Sequence, residues 1–142
     1  MFGVIKKLGN NMVKLSTNML ISEIISEPSI QAQIIDLNQD QMLIKGVDAE
    51  GDSLGNYSKT SIEVYGKRPG RITLKDTGEF YDSMRITNGT EGFKIYGDME
   101  KEGHDLHQRW PHALGLTKES IGEIIPEVKE RLIDKILTKA LR

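Results

Sequence analysis

The sequence contains no cysteine, and only 6% of its residues are aromatic. The absence of thiols excludes a disulfide scaffold, a thiolate zinc site and a cysteine nucleophile, and it fits assembly in a reducing cytoplasm. With so few aromatic rings, the core has to be built from Ile, Leu, Val and Met. We therefore expect neighbouring subunits to contribute part of the stability.

Long apolar segments are missing as well. No segment approaches the roughly 20 apolar residues that a membrane-spanning helix needs. The first residues, Met1–Lys7, contain two lysines and no continuous apolar stretch of signal-peptide length. We therefore expect a soluble protein that has no membrane partner.

An excess of one charge is also lacking, because 19 basic and 21 acidic side chains leave a formal net charge of −2. This balance gives no broad basic surface for neutralising phosphates, so charge alone does not indicate a dedicated nucleic-acid-binding protein.

A chain of 142 residues favours one domain. A domain of this size can bury enough surface to fold without metal or disulfide cross-links.

Two amphipathic helices are predicted in the N-terminal region, residues 1–45. Pro28 separates them, since proline disfavours helical geometry in the residue before it. Ser29 is the predicted N-cap of the second helix and Gly46 its predicted C-cap. Side chains spaced by three and four residues form the predicted helix faces: Ile5, Leu8, Met12, Leu15 and Met19 in the first helix, and Ile30, Ile34, Leu37, Gln41 and Ile44 in the second.

The middle of the chain combines turns with short segments of regular structure. Residues 46–58 contain three glycines and three Asp or Asn residues, which predicts a turn-rich loop. Residues 57–65 fit either a helix or a strand, and residues 72–74 favour a short strand. Residues 77–84 predict a compact helix with Thr77 as its cap.

The clearest β-sheet signal is a hairpin at about residues 84–96, where a turn rich in Gly and Asn separates two short apolar segments. Residues 98–110 are polar and are predicted to be helical. A final helix is predicted after Thr117, its N-cap. The order of elements predicts an α+β fold in a single domain, residues 1–142, with N-terminal helices, a small antiparallel sheet and a C-terminal helix. The predicted core face of that helix consists of Ile121, Ile125, Val128, Leu132 and Ile136.

The three histidines, His104, His107 and His112, are the strongest candidates for chemistry. Imidazoles can bind zinc, and on a helix His104 and His107 would share one face. The spacing matches no recognised zinc pattern, so an exposed polar helix is the preferred interpretation. A small metal-dependent hydrolase or nuclease is the alternative.

Other catalytic signatures are missing from the sequence. No serine lies in a Gly-x-Ser-x-Gly elbow, and no glycine motif could cradle a phosphate. We therefore expect a protein that is not an enzyme and that uses no cofactor or metal.

Lys67, Arg68 and Arg71 form a compact basic cluster in a predicted turn. The preferred interpretation is an ordinary solvated turn. The cluster could instead contact DNA that passes through a channel, or an acidic rim on a partner protein. A DNA-binding accessory protein is therefore a further alternative.

Two segments in the middle of the chain, residues 51–61 and 71–84, have a residue pattern that is more distinctive than their amino-acid composition. In both, the order and spacing of residues resemble the signature of the tail-completion and virion-morphogenesis proteins of tailed bacteriophages. Residues 112–119 are similar to that family's lead into its final helix. The residues that carry the resemblance are Gly51, Tyr57, Ser58, Thr60, Leu74, Thr77, Gly78, Phe80, Ser83, Gly115, Leu116 and Thr117.

The resemblance covers about residues 46–140 and marks residues 46–142 as a tail-completion-like α+β region. Leu54 stands where the family usually has tryptophan, and the N-terminal helical region is longer than usual. Residues 74–83 look most similar to the versions in crAss-like phages of gut Bacteroidales.

The resemblance implies a structural virion protein, a neck or head-tail connector subunit that forms a homo-oligomeric ring between portal and tail. The expected partners are copies of the protein itself, the portal, other neck or tail proteins, and packaged DNA in the channel. We expect assembly in the host bacterial cytoplasm and a final location in the virion neck or tail.

Overall fold

The computed structural model describes residues 17–56, 58, 63–64, 66, 70–75, 78–89, 92–101 and 104–140. These residues form the predicted α+β fold, in which helices accompany small antiparallel sheets and a long C-terminal helix closes the chain. The elements are α1 (the described residues 17–25), α2 (Pro28–Asp40), a π-helical turn (Gln41–Lys45), α3 (Glu79–Asp82), β1 (Arg85–Gly89), β2 (Gly92–Tyr96), β3 (Glu100–Lys101), β4 (His104–Asp105), α4 (Leu106–Arg109) and α5 (Lys118–Ala140).

Helices α1 and α2 are separated at residues 26–27, as Pro28 predicted. The prediction that Ser29 caps α2 is wrong, because Glu27 occupies the N-cap position and no side chain caps the helix there. Pro28 takes the first turn, where its missing N–H leaves no helical hydrogen bond unmade. The first four residues of the first predicted face lie outside the described residues, and the fifth, Met19, is exposed.

The end of α2 widens into the π-helical turn, which Gly46 closes. Gly46 adopts a left-handed conformation with φ of 66°, and this confirms its predicted role as the C-cap. A π-helical turn shifts the side chains that follow it around the helix axis. Gln41 and Met42 are therefore both buried, whereas Ile44 is 58% exposed. The prediction that Ile44 belongs to the core face is wrong for this reason.

The hairpin is confirmed. Strands β1 and β2 pair antiparallel from Arg85 opposite Tyr96 to Gly89 opposite Gly92, so the connection is shorter than predicted. The prediction of a strand at residues 72–74 is wrong. Ile72 and Leu74 are buried there, but Leu74 has φ of 59°, a left-handed conformation that a regular strand excludes.

The predicted helix at residues 98–110 is only partly present. Strands β3 and β4 pair with each other in its first half, and helical structure begins at Leu106. The carboxylate of Asp105 caps this short helix by accepting a hydrogen bond from the backbone N–H of His107 at 2.9 Å. The local Asp105 cap and the β pairing replace the longer helix that polarity alone suggested.

The core consists of two apolar clusters. Leu114 packs against both of them, so the segment before α5 joins the two halves of the core. The prediction of a core built from Ile, Leu, Val and Met holds for the second cluster, where the buried side chains are all isoleucine, whereas Phe80 and Tyr81 are buried in the first. The buried members are Met42, Leu54, Ile72, Leu74, Phe80, Tyr81, Met84 and Ala113 in the first cluster, and Ile24, Ile25, Ile30, Ile34, Ile95 and Ile124 in the second.

Helix α5 begins at its predicted cap, since the hydroxyl oxygen of Thr117 accepts a hydrogen bond from the N–H of Ser120 at 3.1 Å. Pro126 lies inside the continuous helix. The predicted core face is confirmed in part: Val128 and Leu132 pack against the second core cluster, whereas Ile121, Ile125 and Ile136 are at least 40% exposed. Ile124, which was not in the predicted face, is buried. Polar contacts as well as apolar ones hold α5 against α1 and α2.

The polar contacts centre on Arg131. Its guanidinium donates hydrogen bonds to Glu27 and to the hydroxyl of Ser29, at the junction of α1 and α2, and to Glu127 one turn back in α5. Hydrogen bonds to Glu27, and then to Glu127, raise the pKa of Arg131 above its usual value. Lys135 extends the contact along α1, with its ammonium 3.6 Å from a carboxylate oxygen of Glu23.

Two buried side-chain amides hold the segment before α5, and we call this arrangement the amide latch. Asn38 donates to the carbonyl of Ala113 at 3.0 Å and accepts from the N–H of Gly115 at 2.9 Å. Gln41 donates to the carbonyl of Gly115 at 2.9 Å and accepts from the N–H of Thr117 at 2.8 Å. Both amides are at most 1% exposed, so water cannot replace these bonds.

Replacing Asn38 with alanine should destabilise the fold by about 3 kcal/mol, because it leaves the Gly115 N–H and the Ala113 carbonyl buried without a partner. Urea titration followed by circular dichroism measures the change in the free energy of unfolding. Asp36→Ala, at an exposed position of the same helix, is the matched control and should change stability by less than about 0.5 kcal/mol. Equal stability of the two variants would contradict the role assigned to the latch.

Candidate interaction surface

An apolar groove lies between strand β2 and the segment held by the amide latch, and the first turn of α5 completes it. Its volume is about 420 Å³. One wall belongs to the hairpin and the other to residues 114–116, so the latch fixes the distance between the walls. We call this feature the groove, and its lining residues are Gly92, Phe93, Lys94, Ile95, Leu114, Gly115, Leu116 and Ile121.

A second apolar feature lies on the C-terminal half of α5. Ile133, Ile136 and Leu137 are 55%, 46% and 54% exposed, and we call them the ridge. Ile133 lies nine residues after the buried Ile124, which places the two about 180° apart around the helix. The ridge therefore faces away from the molecule's own core.

Ile125 lies between the two features along α5 and is 47% exposed. Single exposed apolar side chains are common on protein surfaces, but contiguous apolar patches mark interaction sites. Along α5, exposed apolar side chains recur from Ile121 at the groove, through Ile125, to the ridge, and the exposed Lys129 lies between Ile125 and Ile133. This distribution makes α5 the candidate interaction surface.

Lysines border the groove, and charged side chains of both signs border the ridge. Lys94 lines the groove, and Lys118 lies one helical turn before Ile121. Glu130, Asp134 and Lys129 lie beside the ridge on α5. All five are exposed, and none forms an ion pair with another residue of the described chain. Lys94 contacts the ring of Tyr96, 5.3 Å from its centroid.

The basic cluster is described in part, since Lys67 and Arg68 lie outside the described residues. Arg71 is exposed, and its guanidinium donates a hydrogen bond to the carbonyl of Leu43 at 3.3 Å. Its aliphatic stem lies 3.0 Å from the point where a Cβ on Gly46 would stand. Arg71 therefore covers the end of the π-helical turn.

The histidines do not share a helix face, so that expectation is wrong: His104 lies in β4, ahead of the helix that contains His107. Within the ranges that the structure describes, no three His, Cys, Asp or Glu side chains form a group that could hold a metal ion. The imidazole of His112 pairs with Glu50, with Nε2 3.5 Å from Oε1.

The residues that carry the family resemblance occupy several parts of the fold. Leu74 and Phe80 are buried in the first core cluster. Gly115, Leu116 and Thr117 lie between the amide latch and the start of α5. Tyr57, Thr60 and Thr77 fall outside the described residues, so the predicted Thr77 cap does too.

The remaining motif positions lie in turns. Gly51 and Gly78 have φ of 85° and 87°, a left-handed conformation that favours glycine, and Gly78 is the N-cap residue of α3. Ser58 is exposed. The Ser83 hydroxyl donates to the carbonyl of Phe80 at 2.7 Å and accepts from the N–H of Asp98 at 2.8 Å, which ties the end of α3 to the segment after β2.

Leu54, where the family usually has tryptophan, is 3% exposed in the first core cluster. Its carbonyl accepts a hydrogen bond from the indole of Trp110 at 2.9 Å. The indole of Trp110 therefore packs beside Leu54.

Sequence reasoning missed the residues that shape the groove and the ridge. The sequence pattern assigns no role to Asn38 and places Gln41 in an apolar helix face, whereas both side chains anchor the latch. Ile133 and Leu137 belonged to no predicted face. A second apolar row on α5, offset from the first, is the sequence signal that could have indicated the ridge.

Gly115 is the position of the groove wall where a side chain is least tolerated. It has φ of 139°, and a Cβ there would stand 2.9 Å from the Cβ of Ala49. Gly115→Ala should therefore lower the free energy of unfolding by about 1–3 kcal/mol. Adding Ala49→Gly should restore only part of this loss, because it relieves the contact and leaves the backbone strain. Chemical denaturation of the single and double variants measures both effects, and an unchanged stability of Gly115→Ala would contradict them.

None of the helices in the described ranges combines the length and the apolar character needed to cross a lipid bilayer. Comparison of the chain with protein-family models, with curated proteins and with solved structures gave no match.

Proposed function

We propose that this protein is a structural subunit of a tailed-phage virion, which forms a homo-oligomeric ring at the junction of portal and tail. In this role it is not an enzyme. It joins the two parts around the DNA channel, as a neck or tail-completion subunit does.

The observation that carries the proposal is the exposed apolar surface of α5. Part of this helix packs against α1 and α2, but five of its aliphatic side chains remain open to solvent: Ile121, Ile125, Ile133, Ile136 and Leu137. Burial of such side chains against another protein contributes roughly 25 cal/mol for each Å² of apolar area removed from water. An assembly subunit gains this stabilisation when its neighbour covers the helix, and an isolated monomer does not.

The assignment to the virion neck rests on the resemblance to tail-completion proteins. Two of the residues that carry it, Leu74 and Phe80, lie in the core, and three, Gly115, Leu116 and Thr117, lie where the chain enters α5. The described motif residues thus lie in the core and at the start of α5, where they help to fix the position of this helix. This is the arrangement expected if the motif preserves a fold whose outer surface is used for assembly.

A ring requires each subunit to contact two neighbours through two different surfaces. Size-exclusion chromatography with multi-angle light scattering, followed by electron microscopy, should show closed oligomers of the purified protein, alone or with its portal protein. A protein that stays monomeric at all concentrations, and that binds neither portal nor tail components, would overturn the proposed function.

Ile125→Asp should weaken assembly at least tenfold in concentration, because it places a charge in a contact that otherwise buries an aliphatic side chain. The monomer should keep its helical circular dichroism signal, since the side chain is already half exposed. The matched control is Glu123→Lys, an exposed position on the opposite side of α5, which should assemble as the unmodified protein does. If Ile125→Asp assembles normally, α5 is not the contact surface.

A further inference from the structure

We propose that Asn88–Gly89 is a deamidation site that the fold keeps closed, and that its conversion releases the hairpin from helix α1. The side-chain amide of Asn88 is the reactive group, and water is the co-reactant. The inference goes beyond the proposed function, because it holds whether or not the protein assembles into a ring.

Asn88 and Gly89 form the one Asn-Gly pair in the sequence. The backbone nitrogen of the residue after an asparagine can attack the side-chain amide, and glycine, which has no Cβ, hinders this approach least. The sequence pattern predicts both residues in the turn of the hairpin, where a less restricted backbone would allow the attack. The structure places them in strand β1 instead, opposite Phe93 and Gly92.

Deamidation at this pair needs only the chain itself and water. The backbone nitrogen of Gly89 bonds to Cγ of Asn88 and loses its proton, while the bond from Cγ to the side-chain nitrogen breaks and ammonia leaves. The product is a five-membered succinimide ring. Water then opens the ring at one of its two carbonyl carbons, which leaves either aspartate or isoaspartate at position 88. No oxidant or reductant is involved.

In the folded protein the side chain of Asn88 is held away from this reaction. Its nitrogen donates to the carbonyl of Ser22 at 2.8 Å, to the hydroxyl of Ser22 at 3.0 Å and to the hydroxyl of Ser26 at 2.9 Å, and we call these bonds the Asn88 tie. The ring also closes only after the backbone of Asn88 leaves the extended conformation, which its pairing in β1 opposes. Deamidation therefore has to wait for a local opening of the hairpin.

The carbonyl of Ser22 fixes the direction in which the Asn88 amide points. A backbone carbonyl can only accept, so the nitrogen of the amide, and not its oxygen, has to face it. The same carbonyl also accepts from the backbone N–H and the hydroxyl of Ser26, one turn later in α1. The tie thus joins the hairpin to α1 at a point where a second acceptor is unfavourable.

Both products of deamidation break the Asn88 tie. An aspartate carboxylate has only acceptors where the amide has donors. The hydroxyls of Ser22 and Ser26 can turn and donate to it, but the carbonyl of Ser22 would face a negatively charged oxygen. Isoaspartate in addition inserts one more carbon into the backbone of β1, which displaces the pairing with β2.

The tie lies close to the groove. Asn88 stands opposite Phe93 in the hairpin register, and Phe93 and Ile95 line one groove wall. Ile86, Phe93 and Ile95 also pack in the second core cluster, so the hairpin would loosen without unfolding when the tie is lost. The amide latch holds the other wall separately. Because deamidation consumes the amide, this change in the groove would not reverse.

Peptide mapping by mass spectrometry during incubation at neutral pH measures the conversion of Asn88. In the folded protein it should be at least about tenfold slower than in the same protein unfolded in urea, because it waits for local opening. The double variant Ser22→Ala/Ser26→Ala removes two acceptors of the tie and should convert faster than the unmodified protein while its circular dichroism still shows a folded chain.

Gly89→Ala is the matched control for the chemistry. A Cβ at this position meets nothing within 4 Å, so the fold is kept. The same Cβ hinders the attacking nitrogen, and the variant should therefore suppress the conversion of Asn88 both in the folded protein and in urea.

A second comparison tests the consequence without the reaction itself. Asn88→Asp should lower the urea midpoint of unfolding and speed hydrogen–deuterium exchange of the hairpin amides, since it breaks the tie. Thr87→Asp adds the same charge at an exposed position of the same strand, and it should change neither measurement.

Three results would each overturn the inference: equal conversion of Asn88 in the folded and the urea-unfolded protein, a folded Ser22→Ala/Ser26→Ala variant that converts no faster, or an Asn88→Asp variant that matches Thr87→Asp in both measurements. If the double variant does not fold, the comparison with urea and the Asn88→Asp variant still decide. None of these results bears on ring formation, which the light-scattering experiment tests separately.

Discussion

The amide latch is the constraint on which the rest of the structure depends. Two buried amides, Asn38 and Gln41, make four hydrogen bonds to the backbone between Ala113 and Thr117. An apolar residue at either position would leave backbone groups buried without partners, which disfavours the fold. Through these bonds, α2 and the π-helical turn set the position of one wall of the groove and the start of α5. The candidate surface is therefore positioned by polar bonds in the interior.

Elements that depend on local sequence were predictable. Pro28 ends α1, Gly46 ends the π-helical turn, Thr117 caps α5, and the hairpin follows from its glycine-rich turn. Elements that depend on distant contacts were not. Ile72 and Leu74 have the pattern of a strand, but they are buried in an irregular segment, where the pairing seen among the described residues is the isolated bridge between Asn56 and Arg71. The spacing of apolar residues indicates which side chains are buried, but it does not indicate which part of the protein covers them.

The candidate surface illustrates the same limit. The predicted face of α5 contained Ile121, Ile125 and Ile136, and all three are exposed at 40% or more. From the sequence, an apolar row on a helix is read as a core contact, because the default partner is the same chain. The contact with α1 and α2 uses Ile124, Val128 and Leu132 together with the ion pairs of Arg131 and Lys135, and the rest of the apolar row is left exposed. The difference between the predicted and the observed face is itself the feature that suggests assembly.

Pro126 lies inside α5, between the groove end and the ridge end of the helix. Proline has no N–H to offer the carbonyl four residues earlier, here that of Gly122, and a helix bends more easily at such a point. In a ring whose subunits meet through α5, as proposed above, a bend of α5 would change the angle between one subunit and the next. The curvature of such a ring would then depend in part on this one missing hydrogen bond.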